Sequence, residues 1–202
     1  MPMREPVDEE CRRLLAALRE RCPDLLTDHE YRAGEPGPEI PVDRERGGTL
    51  FRLVARRLAG LSEGAGVVVW TRHGTELAVL VDQVRVFTAD GAAAVDLPVR
   101  CDQTKDATVR VRFALGSDRR PAGMVATTDE RPFGPAEIVD GWGEALTAYA
   151  WQILVHSTAS LADAAGRDAD GAGLVPVGVR ATREGLTVAT IARHTFDRRS
   201  PR

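Results

Sequence analysis

Apolar residues recur most regularly between Ala136 and Ala165, in the stretch AEIVDGWGEALTAYAWQILVHSTASLADAA. At helical spacing Val139, Trp142, Leu146, Tyr149, Ala150, Ile153, Ser157 and Leu161 fall on one face. A surface helix would carry charge on the opposite face. Here that face holds Ala148, Trp151, Val155 and Ala162, with Glu144 as the clear charge. The pattern predicts a long helix with two neighbours: a sheet on one side, and a second helix or a second subunit on the other.

Between residues 66 and 128 the period changes to two. VVVWT and ELAVLVD flank Arg72-His73-Gly74-Thr75, a hairpin signal. VRVFT turns at Ala89-Asp90-Gly91 into AAAVDLPV. In ATVRVRFAL, Val109, Val111, Phe113 and Leu115 alternate with Arg110 and Arg112, which marks a strand with one wet face. Gly116-Ser117-Asp118 opens a turn and AGMVATT returns. After the long helix, VPVGVRAT and GLTVATIARHT form a last hairpin around Arg183-Glu184-Gly185. Consecutive strands joined by short turns predict a mainly antiparallel meander.

The N-terminal part reads differently. Val7, Cys11, Leu14, Leu15 and Leu18 make a helical stripe over residues 7–22, with Asp8, Glu9 and Glu10 in its first turn and Pro23 ending it. Residues 32–48 hold three prolines and four glycines among charges and read as a flexible linker. A second helix is expected over TLFRLVARRLAG, capped by Thr49 and closed by Gly60, with Leu50, Leu53, Val54 and Leu58 inward and Arg52, Arg56 and Arg57 outward. The fold class is therefore α+β: a mainly antiparallel sheet of about seven strands packed on one long helix, with two N-terminal helices. The expected organisation is an N-terminal helix in 1–31, a flexible linker in 32–48 and an α+β domain in 49–202.

Composition narrows the chemistry. The chain of 202 residues is 43% hydrophobic and 28% charged, which is globular. Its net charge of −3 provides no global field for nucleic acid or membrane. Lys105 is the one lysine and asparagine is absent, the bias of a GC-rich, bacterial-looking genome. That removes a phosphate-loop lysine and any N-glycosylation acceptor, and leaves Lys105 as the sole Schiff-base candidate. Cys11, Cys22 and Cys101 are odd in number and lack pattern, so neither a disulfide framework nor a zinc site is expected. The acidic N-terminus does not read as a signal peptide, and no stretch approaches the roughly 20 apolar residues of a membrane span, so a cytoplasmic location is expected.

Candidate chemistry is sparse. Asp163, Asp168 and Asp170 gather near the long helix's C-terminus, but Asp-x-Asp-Gly is only a fragment of a calcium loop. His29, His73, His156 and His194 share no metal-ligand spacing. Cys101, in VRCDQT, is the one cysteine near a loop, and no serine lies in a nucleophile-elbow context. Asp140-Gly141-Trp142-Gly143-Glu144 offers backbone amides for an anion if it opens the helix. Arg110, Arg112, Arg180 and Arg193 line the wet sheet face if their three strands share it, although interleaved stacking aromatics are missing.

Two functional classes fit. The first is a non-enzymatic protein that acts by self-assembly or by binding a protein partner, with Trp151 and Val155 at the interface of a homodimer to which the long helix or the sheet edge beside it contributes. The second is a small hydrolase whose site gathers Asp129, Glu130, His156, Asp168 and Asp170 in and beside the loops flanking the long helix. No metal, cofactor, nucleic-acid or membrane partner is expected.

Overall fold

The computed structural model describes residues 38–62, 64–102, 104–117, 126–127, 131–165 and 173–192. In chain order these form β1 (Ile40–Asp43), α1 (Arg44–Leu58), β2 (Val67–Arg72), β3 (Thr75–Leu80), a 3-10 turn (Val81–Gln83), β4 (Arg85–Ala89), β5 (Ala92–Arg100), β6 (Ala107–Ala114), β7 (Ala126–Thr127), α2 (Ala136–Ala165), β8 (Leu174–Ala181) and β9 (Gly185–Ala192). The architecture is α+β with antiparallel pairing within each sheet. The expected single sheet is instead two: three strands in the order β1-β9-β8, and six built on β2-β3-β5-β6-β7, with β4 also on β5. The expected helix over residues 7–22 lies outside the described residues.

β5 organises the larger sheet. β6 pairs along one edge, from Ala92↔Ala114 to Val99↔Ala107. The other edge is shared end to end: β4 takes Ala92 to Asp96 and β3 takes Val99 and Arg100. Between them the 3-10 turn and the residue that follows it bury Val81 and Val84, and Val81 N–H donates to Gly66 O at 2.8 Å. Alternation had marked these strands separately; the shared edge depends on register, which alternation does not carry.

The two sheets meet where β6 runs on past Leu115. Gly116 N–H donates to Val179 O at 2.8 Å, and Ala181 N–H donates to Gly116 O at 2.9 Å. Gly91, at the β4–β5 turn with φ +71°, donates to Ala181 O and accepts from Leu115 N–H. A β-carbon is disfavoured in that left-handed conformation, which is why glycine serves here.

α1 and α2 pack together and against the strands. α2 buries Ile138, Val139, Trp142, Leu146, Tyr149, Ala150, Ile153, Leu154 and Ser157, the expected core face with Ile138 and Leu154 added and Leu161 only partly buried. Tyr149 Oη donates to Ala55 O across the helix pair at 2.7 Å. α1 begins at Arg44, so Thr49, the expected cap, sits inside the helix. Gly60, with φ +65°, closes it: Gly60 N–H reaches Arg57 O and Leu61 N–H reaches Arg56 O, a Schellman end. The inward stripe is Gly47, Phe51, Val54 and Ala55, while Leu53 is 58% exposed, a correction to the expected face.

Part of the stretch read as a linker is regular structure. Ile40–Asp43 pairs with β9. Pro41 is tolerated because β1 is an edge strand among the described residues, where a missing N–H leaves no ladder bond unmade. Gly47 is there for close approach: a β-carbon would stand 3.2 Å from Val42 Cγ1 and 3.3 Å from Phe51 Cε2. Residues that usually break structure here let a helix sit tightly on a strand.

Candidate interaction surface

The β2–β3 hairpin turns at His73 and Gly74, whose φ values are +50° and +77°. Two positive φ angles define a type I′ turn, whose twist matches that of the strands it joins. The register runs unbroken from Arg72↔Thr75 to Val67↔Leu80. Alternation then separates two faces. Trp70 turns inward, 5.4 Å from Tyr149 edge-on and 6.4 Å from Trp142. Arg72 Nη1 donates to Gly141 O at 2.9 Å and ties the hairpin tip to α2. On the outer face Val67 and Val69 are 49% and 54% exposed. β2 pairs only with β3 among the described residues, so it is an edge strand.

α2 presents a second apolar surface. Trp151 is 40% exposed, Ala148 is exposed and Val155 is half-buried, whereas Ala162, expected on the same face, is buried. His156 is exposed beside them. Ser157 is buried, and its hydroxyl has no hydrogen-bond partner. The helix opens at Ala136, with Ile138 and Val139 N–H groups reaching Pro135 O. Asp140 to Glu144 therefore lie inside the helix, and their amides serve its own ladder; the anion-holding reading is corrected. At Gly143 a β-carbon would stand 3.3 Å from Val139 Cγ1 and 3.4 Å from Pro132 Cγ, so the backbone passes close to both.

The arginines expected on one wet face are divided. Arg180 lies on β8 in the smaller sheet and pairs with Glu39, and Arg193 lies outside the described residues. Arg110, on β6, faces Asp96 across the ladder and donates to both carboxylate oxygens, at 2.6 and 2.7 Å. It also lies 5.3 Å from the Phe87 ring centre. The hydrogen bonds to Asp96, and then its charge, raise the Arg110 pKa further. Arg112 on the same strand is exposed.

Beside this pair runs a groove of about 320 Å³, lined in part by Arg85, Asp96, Asp106 and Thr108. Asp106 accepts from Arg100 Nε at 2.8 Å, and Asp96 is taken by Arg110. Both carboxylates thus serve as partners of arginine side chains. Nearby, Thr104 Oγ1 donates to Glu137 Oε1 at 2.9 Å. The Glu137 backbone N–H and this hydroxyl hold its carboxyl below the ordinary value.

Of the residues expected in a hydrolytic site, His156 is on the exposed flank of α2, and Asp129, Glu130, Asp168 and Asp170 lie outside the described residues. Cys101 is partly buried against the core, and His73 sits at the exposed hairpin tip. Among the described residues no three His, Cys, Asp or Glu side chains gather as a metal ion requires. No described helix is long and apolar enough to cross a membrane. The best-defined surface feature is thus an apolar edge hairpin on an α+β scaffold. Compared with known proteins, the chain matches no family model, no curated protein and no solved structure.

Proposed function

We propose that this protein acts by association, as a self-assembling or partner-binding module of the bacterial cytoplasm. The observation that carries the reading is the β2 edge, where Val67 and Val69 stand about half exposed on a strand whose second ladder side is open among the described residues. Apolar side chains beside unpaired backbone groups form a template that another chain completes. Trp151 and Val155 on α2 supply a second apolar surface, and a homodimer is the simplest assembly to use either. Light scattering coupled to size exclusion tests this: the expected mass is twice that of the chain at micromolar concentration. A single-chain mass there, with no associate recovered from the native extract, overturns it.

A further inference from the structure

The other outer strands among the described residues are guarded. β1 carries Pro41. β8 carries Pro176 with a register shift between Pro176 and Gly178, and it receives Gly116 alongside. β4 opens with Arg85 and packs on α1, and β7 has two residues. Proline, bulges, charge, cover and brevity are the usual protections of an edge. β2 has none within its Val67–Thr71 stretch.

The type I′ turn sets which of its groups are free. In a hairpin with a two-residue loop, the residues flanking the loop exchange both ladder bonds. Arg72, Trp70 and Val68 therefore bond to β3, and Val67, Val69 and Thr71 turn their N–H and C=O groups to the open edge. That edge is self-complementary. An antiparallel copy centred on Val69 places Val69 on the two-fold axis and pairs Val67 with Thr71 on both sides, each pair exchanging two N–H···O=C bonds.

The same register matches charge. It sets Arg72 opposite Gly66 of the second copy. Gly66 lies hard against the Asp82 carboxylate, where a β-carbon would collide with Oδ2. Positions 66, 68, 70 and 72 share one strand face, the face on which Arg72 reaches α2 and Asp82 lies 3.5 Å from Arg56 of α1. Each Arg72 thus meets an acidic group of the other copy. The two Arg72 side chains stand at opposite ends of the ladder.

We infer that β2 pairs antiparallel with β2 of a second copy in the register centred on Val69, joining two six-stranded sheets across a two-fold axis, with Arg72 of each chain set against Asp82 of the other. This rests on the association reading and specifies its surface.

The test is oxidative cross-linking of full-length chains whose three cysteines are replaced by alanine. One variant carries Val69→Cys, a second Trp151→Cys and a third Glu76→Cys on the exposed face of β3. Thermal melting of each verifies folding. Across the axis the two residue-69 α-carbons would stand about 5.5 Å apart, within disulfide reach. The expected result is rapid dimer cross-linking through position 69 and at least tenfold slower cross-linking through 76. Dimers by light scattering that cross-link only through position 151 overturn the strand register and leave the association reading standing. Monomers by light scattering that cross-link at none of the positions overturn both. Monomers in which the β2 amides are already protected from exchange put another segment of the same chain on the edge, and also overturn the inference. Val69→Lys, which sets like charges on the axis, is expected to weaken the dimer at least tenfold without lowering the melting temperature of the dissociated chain.

Discussion

Removing one hydroxyl at Tyr149 separates the hydrogen bond from the packing at the joint of the two helices. Tyr149 is 6% exposed, and its Oη donates to Ala55 O at 2.7 Å. The same carbonyl accepts Ala59 N–H at 3.0 Å, so Tyr149→Phe leaves no orphaned acceptor. The ring remains, and with it the edge contact to Trp70 at 5.4 Å. The cost is then only the net worth of one hydrogen bond, about 1 kcal/mol, and none of the penalty for an unsatisfied buried group. For a chain of this size that is a melting-temperature drop of roughly 2–4 °C. Tyr149→Ala, which removes the ring as well, is expected to cost about 3–5 kcal/mol.

Urea unfolding reads both, and pH adds a second axis. Burial raises the Tyr149 pKa above the ordinary tyrosine value of about 10. The folded chain therefore holds a proton that the unfolded chain releases. The stability linked to it is present in full below pH ~10 and is lost progressively above it. Tyr149→Phe lacks this loss, so the gap between wild type and variant should narrow between neutral pH and about pH 11. A loss above about 3 kcal/mol at neutral pH would contradict the shared-acceptor geometry, and a gap that widens with pH would contradict the burial of the phenol.

Two further pairs of variants test the core and two close approaches of the backbone. Val111→Asp, at a position 3% exposed, should unfold or aggregate the chain, whereas Arg112→Gln on the exposed face should change urea stability by no more than about 1 kcal/mol; equal damage from both would reverse the face assignment. Gly185→Ala drives a β-carbon into the Val42 carbonyl of β1, where the backbone cannot swing aside, and should cost about 1–3 kcal/mol. Gly66→Ala meets the movable end of Asp82 and should cost less than 1 kcal/mol by the same denaturation assay, a surface-scale effect, so a reversed order would show that the two close approaches were misjudged.

Much of the secondary structure was legible because the solvent-facing and core-facing patterns are regular. The core face of α2 and the alternation of β6 follow directly from residue spacing, down to Val109, Val111 and Phe113 buried in turn. β1 escaped because Pro41 and the nearby glycines read as breakers; only the partner strand and the approach of Phe51 explain them. Leu53 was misplaced because periodicity counts apolar residues without knowing which elements arrive to cover them. The Arg110–Asp96 pair required register, since the two lie 14 positions apart and face each other only after β5 and β6 align. The candidate surface was half legible. Trp151 and Val155 stood out as apolar residues on a helix's second face, but the open side of β2 appears only when strand order is known. Its signal in the sequence was present all the same: an apolar strand beside a two-residue turn, with neither proline nor charge from Val67 to Thr71.

Residue-resolved amide hydrogen exchange at two protein concentrations tests the β2 assembly most directly. Val67, Val69 and Thr71 turn their N–H groups to the open edge, whereas Val68, Trp70 and Arg72 bond within the hairpin. If β2 is the contact, the first three amides are protected at high concentration and lose that protection on dilution below the dissociation constant, while Val68 and Trp70 stay protected throughout. Rapid exchange of Val67, Val69 and Thr71 at every concentration, or protection that dilution does not change, would contradict assembly through this edge.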